Sequence, residues 1–292
     1  MAVIDKEPSG IQGPAGQGPA KTKELSLEEK KLSLIKNAQE LATMYLEDET
    51  QSSFNALVCG ESGSGKTYLA RTCRFPVHID SFDPGGTQGL RDLIQSKDII
   101  ADVRWEKDDP KKPHAFKEWK KVFDERVESG YFDFFGTYIL DSATTWSEAI
   151  MNYILDQARR PGEAPKWEKD YTPAKLEVRN MLQKMLNLPC DFLLIGHLAA
   201  DKDEVSGRVT YRFMATGNHR TIIPLLFSEV YVCLAESKGQ TTERKVLTEK
   251  DSLYLARTRI GARKFQKYEE PNIKAMLRKA GFPCDDKENL FK

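Results

Sequence analysis

The eight residues GESGSGKT (60–67), directly after the apolar run FNALVC (54–59), constrain this chain more than any other stretch. They satisfy G-x-x-x-x-G-K-[ST] in full, with Gly60, Gly65, Lys66 and Thr67 in the fixed positions between an expected strand and an expected helix. Glycines let such a loop curl around a phosphate chain, so that successive amide N–H groups and the positive end of the next helix face the anionic oxygens. Gly60, Glu61, Ser62, Gly63, Ser64, Gly65, Lys66, Thr67 and Tyr68 are therefore the expected nucleotide cradle. Lys66 is expected on the β- and γ-phosphates and Thr67 on Mg²⁺. The plainer alternative is a glycine-rich strand-to-helix turn without a ligand.

Around this loop the pattern is that of an α/β sheet. Strands are expected at 54–59, 76–80, 98–104, 137–141, 191–197, 228–235 and 253–258, and helices near 66–74, 114–129, 145–158, 173–187 and 218–226. TYILD, DFLLIG and EVYVCLA are apolar on both alternating faces, which suits central parallel strands buried between two helix layers. Upstream, residues 8–22 are rich in Gly and Pro and read as disordered. SLEEKKLSLIKNAQELATMYLE reads as a helix that opens with a Ser26–Glu29 capping box and either packs on the core or links subunits as an arm. The expected organisation is a tail (1–24), an N-terminal helix (25–50), the core (51–268) and a C-terminal helix with an acidic tail (269–292). PCDDKENLF suits docking on a basic partner or covering a DNA site, and is otherwise a frayed end.

Forty-four basic residues balance 44 acidic ones, so whole-chain charge gives no case for nucleic acid and any such surface must be local. The five cysteines form no CxxC pair and read as reduced core residues. Without a membrane-length apolar run or a signal-type leader, the expectation is a cytoplasmic protein with no membrane partner.

A phosphate loop needs a second carboxylate to anchor the metal through water at the end of a neighbouring buried strand. Asp141 in YILDSATTW is placed for this, with Ser142 and Thr144 as further polar ligands, although an aspartate there can also merely cap the next helix. Hydrolysis needs a group that activates water, and VHIDSFDPGG offers Asp80 and Asp83, either of which can instead be a turn former. His197, ending the strand DFLLIGH, is positioned to sense the γ-phosphate or to serve only structurally. In SLYLARTR, Arg257 and Arg259 fall on one face of an extended segment, suited to reach a neighbouring subunit's γ-phosphate or to form surface ion pairs. For single-stranded DNA, GRVTYRFMATGNHR supplies Arg208, Tyr211, Arg212 and Arg220, and ARRPGEAPKWEKDY (158–171) mixes cations and aromatics with acids that weaken it.

With these pieces in place, the chain resembles the RecA-like P-loop ATPases, and most closely the phage nucleotide-binding proteins that include the ATP-dependent Sak single-strand-annealing recombinases. The resemblance rests on GESGSGKT, YILDSATTW, LLIGHLAADKDEVSGRV, IIPLLFSEVYVCL and YLARTRIGARKF, over roughly residues 52–265. It implies a RecA-like core, ATP with Mg²⁺, a homo-oligomeric ring or filament, and single-stranded DNA held by loops after the Asp141 and His197 strands. A single-strand-binding protein is a further expected partner, and a phage protein of this kind would work in its host's cytoplasm. The chain departs from RecA in having Ser81, Phe82 and Asp83 where a catalytic glutamate is expected, so Asp83 is the preferred substitute. Two rival readings stay open: an ATPase motor acting on a protein in assembly, packaging or partition, and a nucleotide switch with negligible hydrolysis.

Overall fold

Alternate residues of the central strands face opposite sides of one sheet, and both sides are apolar. In Asn55–Gly60 (β1), Leu57 and Cys59 join one buried cluster while Ala56 and Val58 join the other. The computed structural model describes residues 26–47, 53–202, 204, 207–215 and 219–292. The tail expected at 8–22 lies outside the described residues. Helix α1, Leu27–Glu47, forms a unit by itself. It opens with the expected reciprocal cap, Glu29 N–H donating to Ser26 Oγ and Ser26 N–H to Glu29.

The second unit is built on a nine-stranded sheet. In chain order its elements are β1, β2 (Val77–Ser81), α2 (Arg91–Gln95), β3 (Ile99–Asp102), α3 (Ala115–Glu128), β4 (Thr137–Asp141), α4 (Ala143–Gln157) and α5 (Trp167–Leu186). There follow β5 (Asp191–Lys202), β6 (Val209–Phe213), α6 (His219–Leu226), β7 (Glu229–Lys238), β8 (Thr241–Leu247), β9 (Tyr268–Glu269) and α7 (Ile273–Ala280). The strand order is β3-β2-β4-β5-β1-β7-β8-β9, parallel from β3 to β7 and antiparallel beyond, with β6 pairing antiparallel to β5. Helices α3, α4 and α5 cover one face. The 3₁₀ helix Thr67–Thr72 and α7 cover the other. No helix among the described residues is long and apolar enough to cross a membrane.

Several expected elements take another form. The helix expected over 66–74 is a 3₁₀ helix that stops at Thr72, where Cys73 turns to extended backbone at ψ 166°. The strand expected at 253–258 is reduced to two isolated bridges, Tyr211 with Tyr254 and Val230 with Arg257. The final residues are not frayed. Phe75 N–H donates to Asp286 at 2.6 Å, Lys287 N–H to Phe75 O at 2.8 Å, Asn289 Nδ2 to Lys97 O at 3.0 Å, and Phe291 stacks on Phe135 at 5.0 Å. The tail thus runs along the edge where β2, β3 and β4 begin.

One face of α3 carries Phe116, Trp119 and Phe123, each worth roughly 1.5–3 kcal/mol when fully buried. Trp119 also serves a charge: its Nε1 donates to Asp80 at 2.8 Å, beside Tyr138 OH at 2.9 Å, Arg126 at 3.1 Å and Trp105 Nε1 at 3.3 Å, with His78 Nε2 at 3.1 Å. Burial alone would raise the Asp80 pKa, but His78, Arg126 and Trp119 outweigh it and hold the carboxyl far below the usual range. Such a group adds stability above its unfolded pKa, and loses it as pH falls through the folded value. Asp80→Asn should therefore cost about 3 kcal/mol by urea unfolding at pH 7, a gap that persists down to about pH 5, while the folded fraction keeps its nucleotide affinity.

Candidate active site

The parallel strands end along one edge, and chain order decides what meets there. β5 lies between β1 and β4, pairing Gly60 with His197 and Asp141 with Ile195. β4 pairs in turn with β2, setting Ser81 beside Asp141. The phosphate loop, the Asp141 strand and the His197 strand therefore open into one cleft of about 310 Å³, lined by Ser62, Gly65, Lys66, Thr67, Asp83, Asp141 and His197 among others.

The loop has the form its sequence requires. Gly60 carries no side chain because a Cβ there would meet Cys233 O at 2.8 Å as well as Ser64 Oγ, and Gly65 sits at φ +92°. Lys66 Nζ donates to Gly60 O at 3.0 Å and Glu61 O at 2.9 Å, so the ammonium lies over the loop's own carbonyls. Burial lowers its pKa, against the pull of Asp141.

Thr67 Oγ1 donates to Asp141 Oδ2 at 2.5 Å. Burial pushes the Asp141 carboxyl up to about 6, with Asp83 adding to the rise and Thr67 opposing it. A hydroxyl oxygen and a buried carboxylate short of positive charge form the hard, oxygen-only donor pair that suits Mg²⁺. The residues present fit the metal: Thr67 and Asp141 would hold it, and it would supply charge neutralisation for phosphate oxygens.

Asp80 and Asp83 separate clearly. Asp80 is fully buried under α3 and does not reach the cleft. Asp83 lines it. Asp83 Oδ1 accepts from Ser142 Oγ at 2.8 Å and Thr145 Oγ1 at 2.6 Å, and Oδ2 lies 3.3 Å from His197 Nε2. Burial would raise its pKa, but the His197, Thr145 and Ser142 contacts outweigh this and lower it. Asp83 is thus held ionised beside an Asp141 of raised pKa.

Sequence reasoning missed Thr145 and Glu106. Thr145 stands one helical turn after Ser142, a spacing that was available to find it. Glu106 had no local signal: from the turn after β3 it accepts from Ser81 Oγ at 2.8 Å and Gly85 N–H at 3.0 Å, fixing the segment that carries Asp83. Thr144 Oγ1, expected as a ligand, is buried without a hydrogen-bond partner among the described residues.

A family model described as an AAA domain matches residues 53–260. The chain belongs to this AAA-domain family. It is a P-loop enzyme of the ATP-hydrolysing kind, built on a mostly parallel α/β sheet. No curated protein matches it. Among solved structures it is similar to a KaiC-like protein of Pyrococcus horikoshii (13% identity, TM-score 0.37, 68% of this chain and 78% of that one). It is also similar to the flagellar accessory protein FlaH of Methanocaldococcus jannaschii (12% identity, TM-score 0.39, 74% and 83%). A third is the type III secretion ATPase EscN of enteropathogenic E. coli (12% identity, TM-score 0.41, 62% and 42%).

In this AAA domain the remaining expected residues lie away from the cleft. Arg257 does not share an extended face with Arg259. Its guanidinium donates to Pro224 O at 2.8 Å and Phe227 O at 2.7 Å, closing the end of α6, while Arg259 is exposed. Arg212 and Arg220 both approach Asp201, at 3.1 and 3.5 Å; Arg208 donates to Ser252 O, and Tyr211 stacks on Tyr254 at 5.3 Å. In the 158–171 segment Arg160 and the Lys166 amide donate to buried Asp170, and Trp167 packs on Tyr171 at 5.1 Å.

Asp83→Asn should lower ATP turnover by about 10²-fold or more with little change in ATP affinity, read from steady-state hydrolysis beside equilibrium binding. Asp141 has the opposite pKa sign to Asp80: a raised folded pKa costs stability as pH rises from about 4 to 6, and the cost stays constant above. In EDTA, Asp141→Asn should therefore be about 2–3 kcal/mol more stable than wild type at pH 8, a gap that closes toward pH 4, and it should not hydrolyse ATP.

Proposed function

We propose that this chain is a Mg²⁺-dependent ATPase that works as a homo-oligomer on single-stranded DNA, in phage-type recombination or strand annealing of the Sak kind. The observation that carries the reading is the course of β5, which is unbroken from Asp191 to Lys202. His197 stands in the cleft on this strand, and its outer half pairs with β6 into a hairpin bearing Tyr211 and Arg212, with Arg208 just before β6 and Arg220 on α6 nearby. Cations for phosphates and aromatic faces for bases are what a sequence-tolerant single-strand surface needs.

In this reading Lys66 and Thr67 hold the nucleotide and metal, Asp141 holds the metal through water, Asp83 accepts the water's proton, and His197 reports the γ-phosphate to the hairpin. Arg259, exposed beside the half-buried Arg257, is the remaining arginine for a neighbouring subunit's nucleotide. The ring or filament, a single-strand-binding protein as partner and the host cytoplasm as workplace belong to the same proposal. A second reading has an observation of its own. Asp201 partly neutralises Arg212 and Arg220, which suits a protein partner better than a polyanion.

ATP hydrolysis with single-stranded DNA, with duplex and without DNA separates the two, with Lys66→Ala as control. The expected result is a Lys66-dependent rate that rises several-fold with single strands only, and a rise that Arg212→Ala with Arg220→Ala removes. A Lys66-dependent rate indifferent to DNA would sink the single-strand reading in favour of a protein-directed motor, and no rate would leave a nucleotide switch.

A further inference from the structure

β7 and β8 form an antiparallel hairpin in which Cys233 faces Val246 and Ala235 faces Arg244. Alternate residues of a strand share a face, so Arg244 and Val246 lie on the same side of the sheet. That side is known from Val246, which is buried in one cluster with Leu69 and Ala70 of the 3₁₀ helix following the phosphate loop. β8 runs against β7, and β7 runs with β1, so stepping back from Val246 to Arg244 moves toward the end of β1 where the loop starts. The side chain arrives there. A Cβ built on Gly65 would stand 3.0 Å from Arg244 Cδ and 3.3 Å from Arg244 Nε.

The other charged side chains of these two strands are engaged. Glu229 accepts from the Tyr231 hydroxyl and from the amides of Arg259 and Ile260. Lys238 pairs with Glu243, and Lys245 with Glu236 and Glu243. The Arg244 side chain is exposed and makes no ion pair or hydrogen bond among the described residues. Lys66 meanwhile supplies a single ammonium to the loop. A guanidinium is a strong, forked donor for phosphate oxygens, and one left unpaired against a phosphate loop is held ready for an anion that the chain itself does not provide.

We infer that Arg244 is a second cation for the nucleotide's β- and γ-phosphates, reaching in cis from β8 across Gly65. The inference rests on the nucleotide reading of residues 60–67 and extends it to a residue outside every recognised motif. It also gives Gly65 a second reason to lack a side chain: besides its positive φ, a Cβ would crowd the Arg244 stem.

Calorimetric titration of the full chain with Mg²⁺ and ATP, ADP or AMP tests this, comparing wild type with Arg244→Ala, Arg244→Lys and Lys66→Ala. Thermal melts of each variant establish that it is folded. Loss of one charge-assisted contact should weaken ATP and ADP binding about tenfold in Arg244→Ala, leave AMP nearly unchanged, and be partly restored in Arg244→Lys. Wild-type ATP and ADP affinity in Arg244→Ala, with binding lost in Lys66→Ala, overturns the inference and leaves the loop reading standing. Wild-type affinity in Lys66→Ala overturns both. An AMP loss as large as the ATP loss also overturns it, since the contact would then be to the α-phosphate, ribose or base.

Discussion

The seating of β5 between β1 and β4 is the constraint on which the rest of the molecule depends. Parallel strands cannot be joined by a tight turn, so each needs a crossover that returns to the same starting edge. With these parallel strands all starting at one edge, their ends fall at the other, and that is where the loop after β1, Asp141 and His197 meet. Were β5 at the margin of the sheet, His197 would have no path to Asp83. The helix layers follow from the same arrangement: strands apolar on both sides require cover on both, and α3 to α5 on one face with the 3₁₀ helix and α7 on the other supply it.

Charge is then distributed by environment rather than by residue type. Three aspartates sit at or near the ends of β2 and β4, and each is treated differently. Asp80 is saturated by donors and is structural. Asp83 is kept ionised by two hydroxyls and an imidazole. Asp141 is buried with one hydroxyl, and the charges of Lys66 and His197 do not offset the cost of that burial. The first belongs to the core, and the other two face the cleft. Nothing in the spacing of the three distinguishes them.

Legibility in the sequence followed the range of the interaction. The phosphate loop, the capping box at Ser26 and the buried run TYILD are set by neighbours in the chain, and each was readable as it stood. The choice between Asp80 and Asp83 was not, because it turns on Trp119 and Arg126 from a helix some 40 residues later. β8 was missed because TTERK is polar, its place in the sheet being fixed by pairing with β7 instead of by its own burial. Arg257 misled for the opposite reason: a two-residue spacing implies a shared face only in a regular strand, and the segment makes isolated bridges.

The course of the C-terminal tail bears on the order in which the molecule is completed. Its contacts close over very long stretches of chain, with Asp286 reaching Phe75 across 211 residues and Asn289 reaching Lys97 across 192. During synthesis the cleft-forming segments, from the phosphate loop through His197, all leave the ribosome before the tail does. The starting edge of β2 and β3 must wait, its backbone groups satisfied by water, until the last stretch of this sequence is made. Contacts of such separation are slow to form and leave strand edges open meanwhile. The catalytic edge can thus assemble on the nascent chain, whereas the opposite edge is sealed only after translation has passed it.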